Sequence, residues 1–312
     1  MMAQKSAVKT AAVKVPARRN RIKRTPGEQI FDFFNIIIMA LVIVITFYPI
    51  LYVLFASFSD PGRLVASSGL LFGPLGFQTM GYQKVFEYPM LLYGYKNTIL
   101  YTSIGTCINV IMTTLAAFVL SRKRFYLRHF FMFIVTFTMF FSGGLIPTYL
   151  LVRSYGLYNS IWALILPGAM SAWNMIIMRT SFLSIPDSLE ESARIDGATN
   201  LTILLRIILP LSTAIVAIMV LFYAVGHWNS WFNAMIYLRT RAKYPLQLVL
   251  REVLIANSTD AMSAGESSSE RQALGEVIKY AMIIVATVPI LLIYPFLQKY
   301  FVKGVMVGAI KE

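Results

Sequence analysis

The 312-residue sequence is short of charged residues and of cysteine. Charged residues make up 13% of the chain, whereas soluble domains contain roughly 25%, and 57% of the residues are apolar or aromatic. Too few polar residues are therefore present to cover a globular core, which excludes an ordinary soluble enzyme. Cys107 is the only cysteine, so no disulfide forms within the chain.

The long apolar runs of the chain carry no acidic or basic residue at their centres. An ion-coupled carrier generally binds its coupling ion at an ionisable residue within the membrane, so this absence argues against a secondary carrier. A carrier that binds Na⁺ through backbone carbonyls remains an alternative. The GxxxxGK[ST], HExxH and GxSxG motifs are absent, and no catalytic residue is predicted. No metal site is predicted either, because His129 and His227 fall at opposite edges of the predicted membrane region, as interfacial polar residues.

Six apolar runs are each long enough to cross the hydrocarbon core of a bilayer, roughly 30 Å thick, as a helix. The sequence therefore predicts an all-α, polytopic membrane protein with six transmembrane helices. The runs lie near Ile36–Ala56, Asn97–Leu120, Phe130–Val152, Ile161–Met178, Ile207–Gly226 and Tyr280–Gln298.

Basic residues are concentrated in both terminal tails and in the turn 121–129. With six spans, these three segments lie on the same side of the membrane. The chain has 28 Lys and Arg against 14 Asp and Glu, and eight of the basic residues precede the first span. Four more lie in the turn 121–129, and three follow the last span. The positive-inside rule then predicts that both termini are cytoplasmic and that the N-terminal bases contact membrane lipid rather than nucleic acid.

The segment between the fourth and fifth runs predicts a short cytoplasmic helix. Ser188 and Glu191 have the spacing of a capping box, and Gly197 fits a left-handed helix stop, which brackets a helix over Leu189–Asp196. Ala193 lies one turn from Leu189, on a small apolar face surrounded by acidic residues. A helix of about two turns is unstable alone, so we expect neighbours to hold it and a partner's cleft to receive this face. A capped surface turn without a partner is the alternative.

The same segment resembles the EAA loop of ABC importer permease subunits. That loop reads EAA, three residues, G, nine residues, I-x-L-P. This chain reads Glu191-Ser-Ala193, three residues, Gly197, nine residues, Ile207-Ile-Leu-Pro210, and departs only in Ser192. The surrounding residues 185–198 are similar to the maltose-type G-like carbohydrate permeases. Segments 141–148, 161–167 and 303–308 resemble the oligosaccharide permeases of Gram-positive bacteria.

The resemblance implies a type I, MetI-like permease fold in a bacterial cell membrane. Its domains would be a basic cytoplasmic tail over 1–30, a six-helix permease domain over 31–303 with its coupling loop at 184–210, and a cytoplasmic C-terminal tail over 304–312. Implied partners are a second homologous permease, a cytoplasmic ATPase dimer and an extracellular sugar-binding lipoprotein. No cofactor is expected in this chain, because ATP and Mg would be bound by the ATPase subunits. The resemblance assigns ATPase coupling to Glu190, Glu191, Ser192, Ala193, Asp196, Gly197 and Ala198.

Aromatic and amide side chains near the fourth and fifth spans are candidates for a saccharide path. A path without fixed charge favours a neutral polar solute, and sugars stack on aromatic rings while their hydroxyls bind amides. An interfacial aromatic belt is the alternative role for the tryptophans. The sequence does not decide whether the solute is a neutral glucan or a uronate-containing oligosaccharide. A permease for another solute class and an ATPase-independent carrier or channel remain alternative functions. The candidates are Trp173, Asn174, Trp228, Asn229, Trp231 and Asn233.

Overall fold

The computed structural model describes residues 25–263 and 269–309, and within these ranges the chain forms helices and connecting turns without a β-strand. The first eight α-helices are α1 Pro26–Ser57, α2 Pro61–Ala66, α3 Met80–Glu87, α4 Pro89–Ser121, α5 Arg128–Phe140, α6 Leu145–Ser154, α7 Trp162–Ile165 and α8 Ala172–Leu183. The others are α9 Asp187–Ile195, α10 Asn200–Ile203, α11 Leu209–Leu211, α12 Thr213–Trp228, α13 Phe232–Tyr237, α14 Leu246–Ser263 and α15 Ser269–Ala309.

Three of the described helices are continuous, long and apolar enough to cross a membrane. They are α1, α4 and the Gln272–Ile293 part of α15. A helix pairs its own backbone N–H and C=O groups, which is why an apolar run in lipid adopts this form. The all-α membrane fold predicted from composition is therefore confirmed.

The other three apolar runs fall on interrupted helices. In the third run, α5 and α6 meet at a bend of 115°, and Gly144 in the connection has a left-handed φ of 83°. In the fifth, the helical segment 200–211 meets α12 at 87°. The fourth run divides into α7, a 3₁₀ turn over Leu166–Gly168, and α8. By length and composition, the described helices give three candidate spans, or five if each bent pair is one span.

Two predicted domain boundaries differ from the helix ends. Helix α1 begins at Pro26, inside the segment assigned to the N-terminal tail, and α15 continues to Ala309, inside the segment assigned to the C-terminal tail. Proline is well tolerated at the first position of a helix, which accounts for the earlier start of α1. The remainder of the predicted N-terminal tail, residues 1–24, lies outside the described residues.

The largest core cluster joins α4, α8, α12 and the segment 203–208. Its most completely buried side chains are long and flexible or aromatic, including Met175, Met178, Phe182 and Met219. Lipid tails are as apolar as these side chains, so close packing rather than escape from water holds such helices together. Helix α9 follows α8 directly, and Ala193 of α9 packs against this cluster. The cluster therefore fixes where the predicted coupling helix lies.

Candidate functional site

The N-terminus of α9 differs from the predicted capping box. The helix begins at Asp187, two residues before the predicted start, and Pro186 precedes it with φ −58° and ψ 132° without a side-chain cap. Ser188 is therefore inside the first turn, where it cannot act as the cap. Asp187 and Glu190 instead place negative charge in that turn, where the helix dipole favours it.

The C-terminus of α9 confirms the predicted left-handed stop. Gly197 has φ 80°, a conformation that side chains disfavour. The Gly197 N–H donates to the Arg194 carbonyl at 3.0 Å, and the Ala198 N–H donates to the Ala193 carbonyl at 2.9 Å. These two bonds form a Schellman motif, which satisfies the last helical carbonyls and turns the chain toward α10.

Glu190 holds α9 against the end of α4. One carboxylate oxygen accepts from Arg194 at 2.6 Å, and the other is ion-paired with Arg122. The side chains of Glu190 and Arg122 are each only 13% exposed. Burial is the largest single influence on the Glu190 pKa and raises it, but the hydrogen bonds and charges of Arg194 and Arg122 together outweigh it. The pKa of Glu190 is therefore lowered, and the carboxylate stays ionised.

A second, more exposed ion pair joins the same two elements. Lys123 pairs with Asp187 at the start of α9, and both side chains are more than half exposed. The hydrogen bond from Lys123 is the largest influence on the pKa of Asp187 and lowers it. Two basic side chains just after α4 thus pair with two acidic side chains of α9. Part of the acidic ring predicted around α9 therefore pairs with residues of this same chain.

The predicted apolar face of α9 is only partly exposed: Leu189 is exposed, whereas Ala193 packs against the core cluster. Ala193 lies one turn from Glu190 on the inner side of the helix, and Ala198 follows the helix; both pack against the core cluster. Ile195 is 87% exposed, and together with the exposed Leu189 it offers apolar surface to a partner. Glu190 faces the protein, where it pairs with Arg122 and Arg194. We call the exposed side the outer face of α9, formed by Leu189, Glu191, Ser192, Ile195 and Asp196.

The six predicted saccharide-path residues have different surroundings. Trp228 is 7% exposed and packs in a cluster with residues of α3, α4, α14 and α15. Asn174 is also buried, whereas Trp173, Asn229 and Asn233 are exposed. In 25–263 and 269–309, the structure shows no cluster of three His, Cys, Asp or Glu that could hold a metal.

Trp231 is half-buried and has a charged neighbour. The Arg251 guanidinium carbon lies 4.2 Å from the centroid of a Trp231 ring. A guanidinium over an aromatic face is a favourable electrostatic contact. The pair therefore offers one cationic and one apolar surface side by side, a combination the charge-free path predicted from the sequence did not include.

A set of polar side chains between α4 and α12, three of them buried and His227 half-buried, was missed by the sequence reasoning. His227, predicted as an interfacial residue, has its Nε2 2.6 Å from the Asn109 Oδ1, and Tyr223 has its hydroxyl 2.6 Å from the Thr113 Oγ1. Asn109 is 1% exposed. The signal was the spacing: each helix carries its two polar residues four apart, which places them on one face.

Comparison with known proteins identifies the family of this chain. Residues 91–307 match the family described as "Binding-protein-dependent transport system inner membrane component". The chain is 40% identical over 295 residues to Protein LplC of Bacillus subtilis (strain 168), covering 95% of this chain and 99% of LplC.

Two further similarities carry more specific descriptions. The Polygalacturonan/rhamnogalacturonan transport system permease protein YtcP of Bacillus subtilis (strain 168) is 40% identical over 284 residues, covering 91% of this chain and 99% of YtcP. A chain in the crystal structure of a bacterial ABC transporter involved in the import of the acidic polysaccharide alginate superposes with a TM-score of 0.81 at 31% identity, covering 90% of this chain and 99% of that chain. This chain therefore belongs to the binding-protein-dependent transport system inner membrane component family, and is a membrane-embedded transport subunit rather than an enzyme.

Proposed function

We propose that this protein is one permease subunit of an ATP-driven importer that moves oligosaccharides into a bacterial cell. A second homologous permease, a cytoplasmic ATPase dimer that binds ATP and Mg²⁺, and an extracellular sugar-binding lipoprotein complete the assembly. Both termini are cytoplasmic in this proposal. The excess of basic residues beside the termini and in the turn after α4 supports that orientation.

The observation that carries the proposal is the outer face of α9. This helix is capped at its C-terminus, held from behind by Glu190, and presents an almost fully exposed Ile195 between acidic side chains. Exposed apolar surface with a charged rim is typical of a protein contact. Because α9 lies in the chain between α8 and α10, a force applied to its outer face reaches membrane helices on both sides. ATP-driven closure of a docked ATPase would in this way bias the permease between inward-facing and outward-facing states.

We further propose that the oligosaccharide contains uronate residues. A uronate offers a carboxylate for Arg251 and an apolar sugar face for Trp231, and these two side chains lie in contact. YtcP, by its name, transports polygalacturonan and rhamnogalacturonan, and the superposed structure belongs to an alginate importer; both of these saccharides are acidic. A neutral glucan is the second candidate, supported by the absence of ionisable residues from the centres of the apolar runs.

Co-purification tests the docking part of the proposal. The affinity-tagged protein is extracted from its native membranes, and retained chains are identified by mass spectrometry and ATP hydrolysis. We expect an ATPase to be retained by the wild type and lost from Glu191→Lys, which reverses a charge on the outer face, and from Gly197→Pro, which cannot adopt φ 80°. Ser188→Ala lies on the same side of the helix but changes no charge, so it is the control for the charge reversal and should retain the ATPase.

Uptake tests the transport part. Vesicles containing the purified assembly are supplied with ATP and either a labelled oligogalacturonate or a labelled maltooligosaccharide of equal length. We expect uptake of the oligogalacturonate, and a stronger loss of it in Arg251→Gln than in Arg239→Gln, an exposed arginine on the same outer segment. Uptake of the neutral sugar alone would contradict the uronate assignment. Uptake without any ATPase, abolished by dissipating an ion gradient, would contradict the importer and favour a secondary carrier.

A further inference from the structure

The break between α7 and α8 leaves backbone groups without helical partners inside a predicted span. The chain passes through a 3₁₀ turn at Leu166–Gly168 and resumes as α8 at Ala172, with Ser171 at the start of the new helix. Irregular backbone at membrane depth persists only where other groups of the protein satisfy its N–H and C=O groups. The side chains that do so here come from α4 and α12.

The first of these connections runs through Asn109 of α4. Its Nδ2 donates to the Gly168 carbonyl at 2.5 Å, and its Oδ1 lies 2.6 Å from the Nε2 of His227 on α12. A carbonyl only accepts, so the amide nitrogen must face Gly168 and the amide oxygen must face the histidine. The His227 Nε2 therefore carries the hydrogen and donates it to Asn109.

The second connection lies one helical turn away on both helices. The Tyr223 hydroxyl of α12 accepts from the Ser171 N–H at 3.1 Å and is hydrogen-bonded to the Thr113 Oγ1 of α4 at 2.6 Å. Thr113 follows Asn109 by four residues, and Tyr223 precedes His227 by four. The two connections are therefore stacked, and each ties α4 to α12 and to one side of the break. We call these four side chains, Asn109, Thr113, Tyr223 and His227, the polar clamp.

Gly105 makes room for the histidine. A Cβ atom at this position would lie 2.5 Å from the His227 Nε2 and 2.6 Å from its Cε1. The imidazole fills the space above the glycine, so even one methyl group there displaces the ring. This close approach, rather than a turn or a left-handed conformation, is what requires glycine at position 105.

The clamp is continuous with the coupling helix through α8. At the far end of α8, the Arg179 Nε donates to the Leu120 carbonyl of α4 at 2.8 Å, and α9 begins four residues after α8 ends. Arg122, at the end of α4, then pairs with Glu190 of α9. Helix α8 is thus fixed to α4 near both of its ends, by the clamp at one and by Arg179 at the other.

We infer that the polar clamp makes α4, α8 and α9 move as one body, so that a displacement of α9 becomes a displacement of the membrane helices. The inference rests on the function proposed above. Without the clamp, the break before α8 is free to act as a hinge, and motion of α9 is absorbed there. Asn109 and His227 are accordingly positioning residues, which affect transport through backbone geometry without touching the solute or the ATPase.

The ratio of uptake to ATP hydrolysis tests this inference in the reconstituted assembly. In His227→Leu we expect oligosaccharide uptake to fall about tenfold, which lies within the range for coupling between sites, while ATP hydrolysis stays within about twofold. His227→Gln retains an N–H donor for Asn109, so it should recover most of the uptake. An equal fall in uptake and hydrolysis, or a loss of assembled complex, would show that the residues only support packing and would overturn the inference.

A double-mutant cycle provides the second test. Gly105→Ala changes no polar group but displaces the imidazole, so we expect it to reproduce the uncoupling of His227→Leu. In a His227→Ala background the space is empty, and Gly105→Ala should have no further effect. Additive losses would contradict the clamp. Gly226→Ala, where a Cβ meets nothing within 4 Å, is the matched control and should leave the ratio unchanged.

The two proposals fail in distinguishable ways. If the wild-type assembly contains no ATPase, or imports no oligosaccharide with ATP, the proposed function is wrong. If the wild type imports normally and His227→Leu, Gly105→Ala and the double variant all import at the wild-type ratio, only the clamp is wrong.

Discussion

The coupling helix α9 and the polar clamp hold helices in place by different chemistry. On α9, ionised Glu190 meets two arginines at the end of a span, where its partners are charged and solvent is close. In the clamp, neutral amide, imidazole and hydroxyl groups meet each other and the backbone. An unpaired charge is far more costly than an unpaired dipole when buried. This chain therefore uses ion pairs where water can stabilise the charges, and neutral hydrogen bonds where water cannot reach them.

The largest effect should come from removing the charge at the centre of the α9 attachment. Glu190→Ala leaves Arg122 and Arg194 without their carboxylate, and we expect a loss of about 2 kcal/mol in the stability of the attached state. Thermal unfolding of the purified protein measures it. Glu191→Ala is the matched control, since this neighbouring carboxylate is exposed and its loss should leave stability unchanged while weakening ATPase docking. Equal destabilisation by both variants would contradict the distinction between the inward and outward faces of α9.

Acidification should remove the contribution of the Glu190 carboxylate to folding stability without a mutation. Because the pKa of Glu190 is lowered in the folded protein, its stabilisation is present above the ordinary glutamate pKa of 4.5 and is lost as the pH falls through the folded value. The difference in melting temperature between wild type and Glu190→Gln should therefore be full near pH 7 and shrink below pH 4.5. A difference that grows on acidification would show that Glu190 is not held ionised by its arginines.

A smaller effect is expected from the clamp. Tyr223→Phe removes a hydroxyl that bonds both Ser171 and Thr113, and hydrogen bonds between membrane helices contribute about 1 kcal/mol each or less. The melting temperature should fall less than in Glu190→Ala. Adding Thr113→Val should produce less than the sum of the two single effects, because both substitutions remove the same bond. A clamp variant more destabilised than Glu190→Ala would reverse the comparison of charged and neutral attachments.

The smallest effect is expected at the exposed pair of Lys123 and Asp187. Solvent screens this pair, and exposed ion pairs contribute little to stability. Lys123→Ala should therefore unfold at the wild-type temperature, whether measured at low or high salt. A clear destabilisation that disappears in high salt would show that this pair, and not Glu190 alone, attaches α9.

Sequence reasoning worked best where the pattern is local. Gly197 as the end of α9 follows from its own conformational freedom and from the residues that precede it. The start of α9 was placed two residues late, because the geometry of Pro186 took precedence over the capping-box spacing. The predicted apolar face joined Leu189 and Ala193, but of these two only Leu189 is exposed, because the helical pattern gives neighbours on a face but not which face meets the core.

Other residues became visible only in three dimensions. Trp228 is of a residue type common at membrane interfaces, but it packs against residues of four other helices. His227 has an ordinary position at the end of an apolar run, and only the approach of Gly105 and Asn109 gives it a role. Arg251 and Trp231 are twenty residues apart in the chain, so their contact follows from the folding of α13 and α14 and not from any local pattern.

Local patterns in the sequence were enough to predict an all-α membrane protein with an exposed, capped helix between two spans. Hydropathy, charge bias and turn residues act locally or through the solvent, so they can be read without knowing which residues are neighbours. The tertiary structure decided which side of that helix faces outward, where the apolar runs break, and which polar side chains satisfy the broken backbone. These outcomes depend on contacts between residues distant in the chain, and a one-dimensional pattern does not specify such contacts.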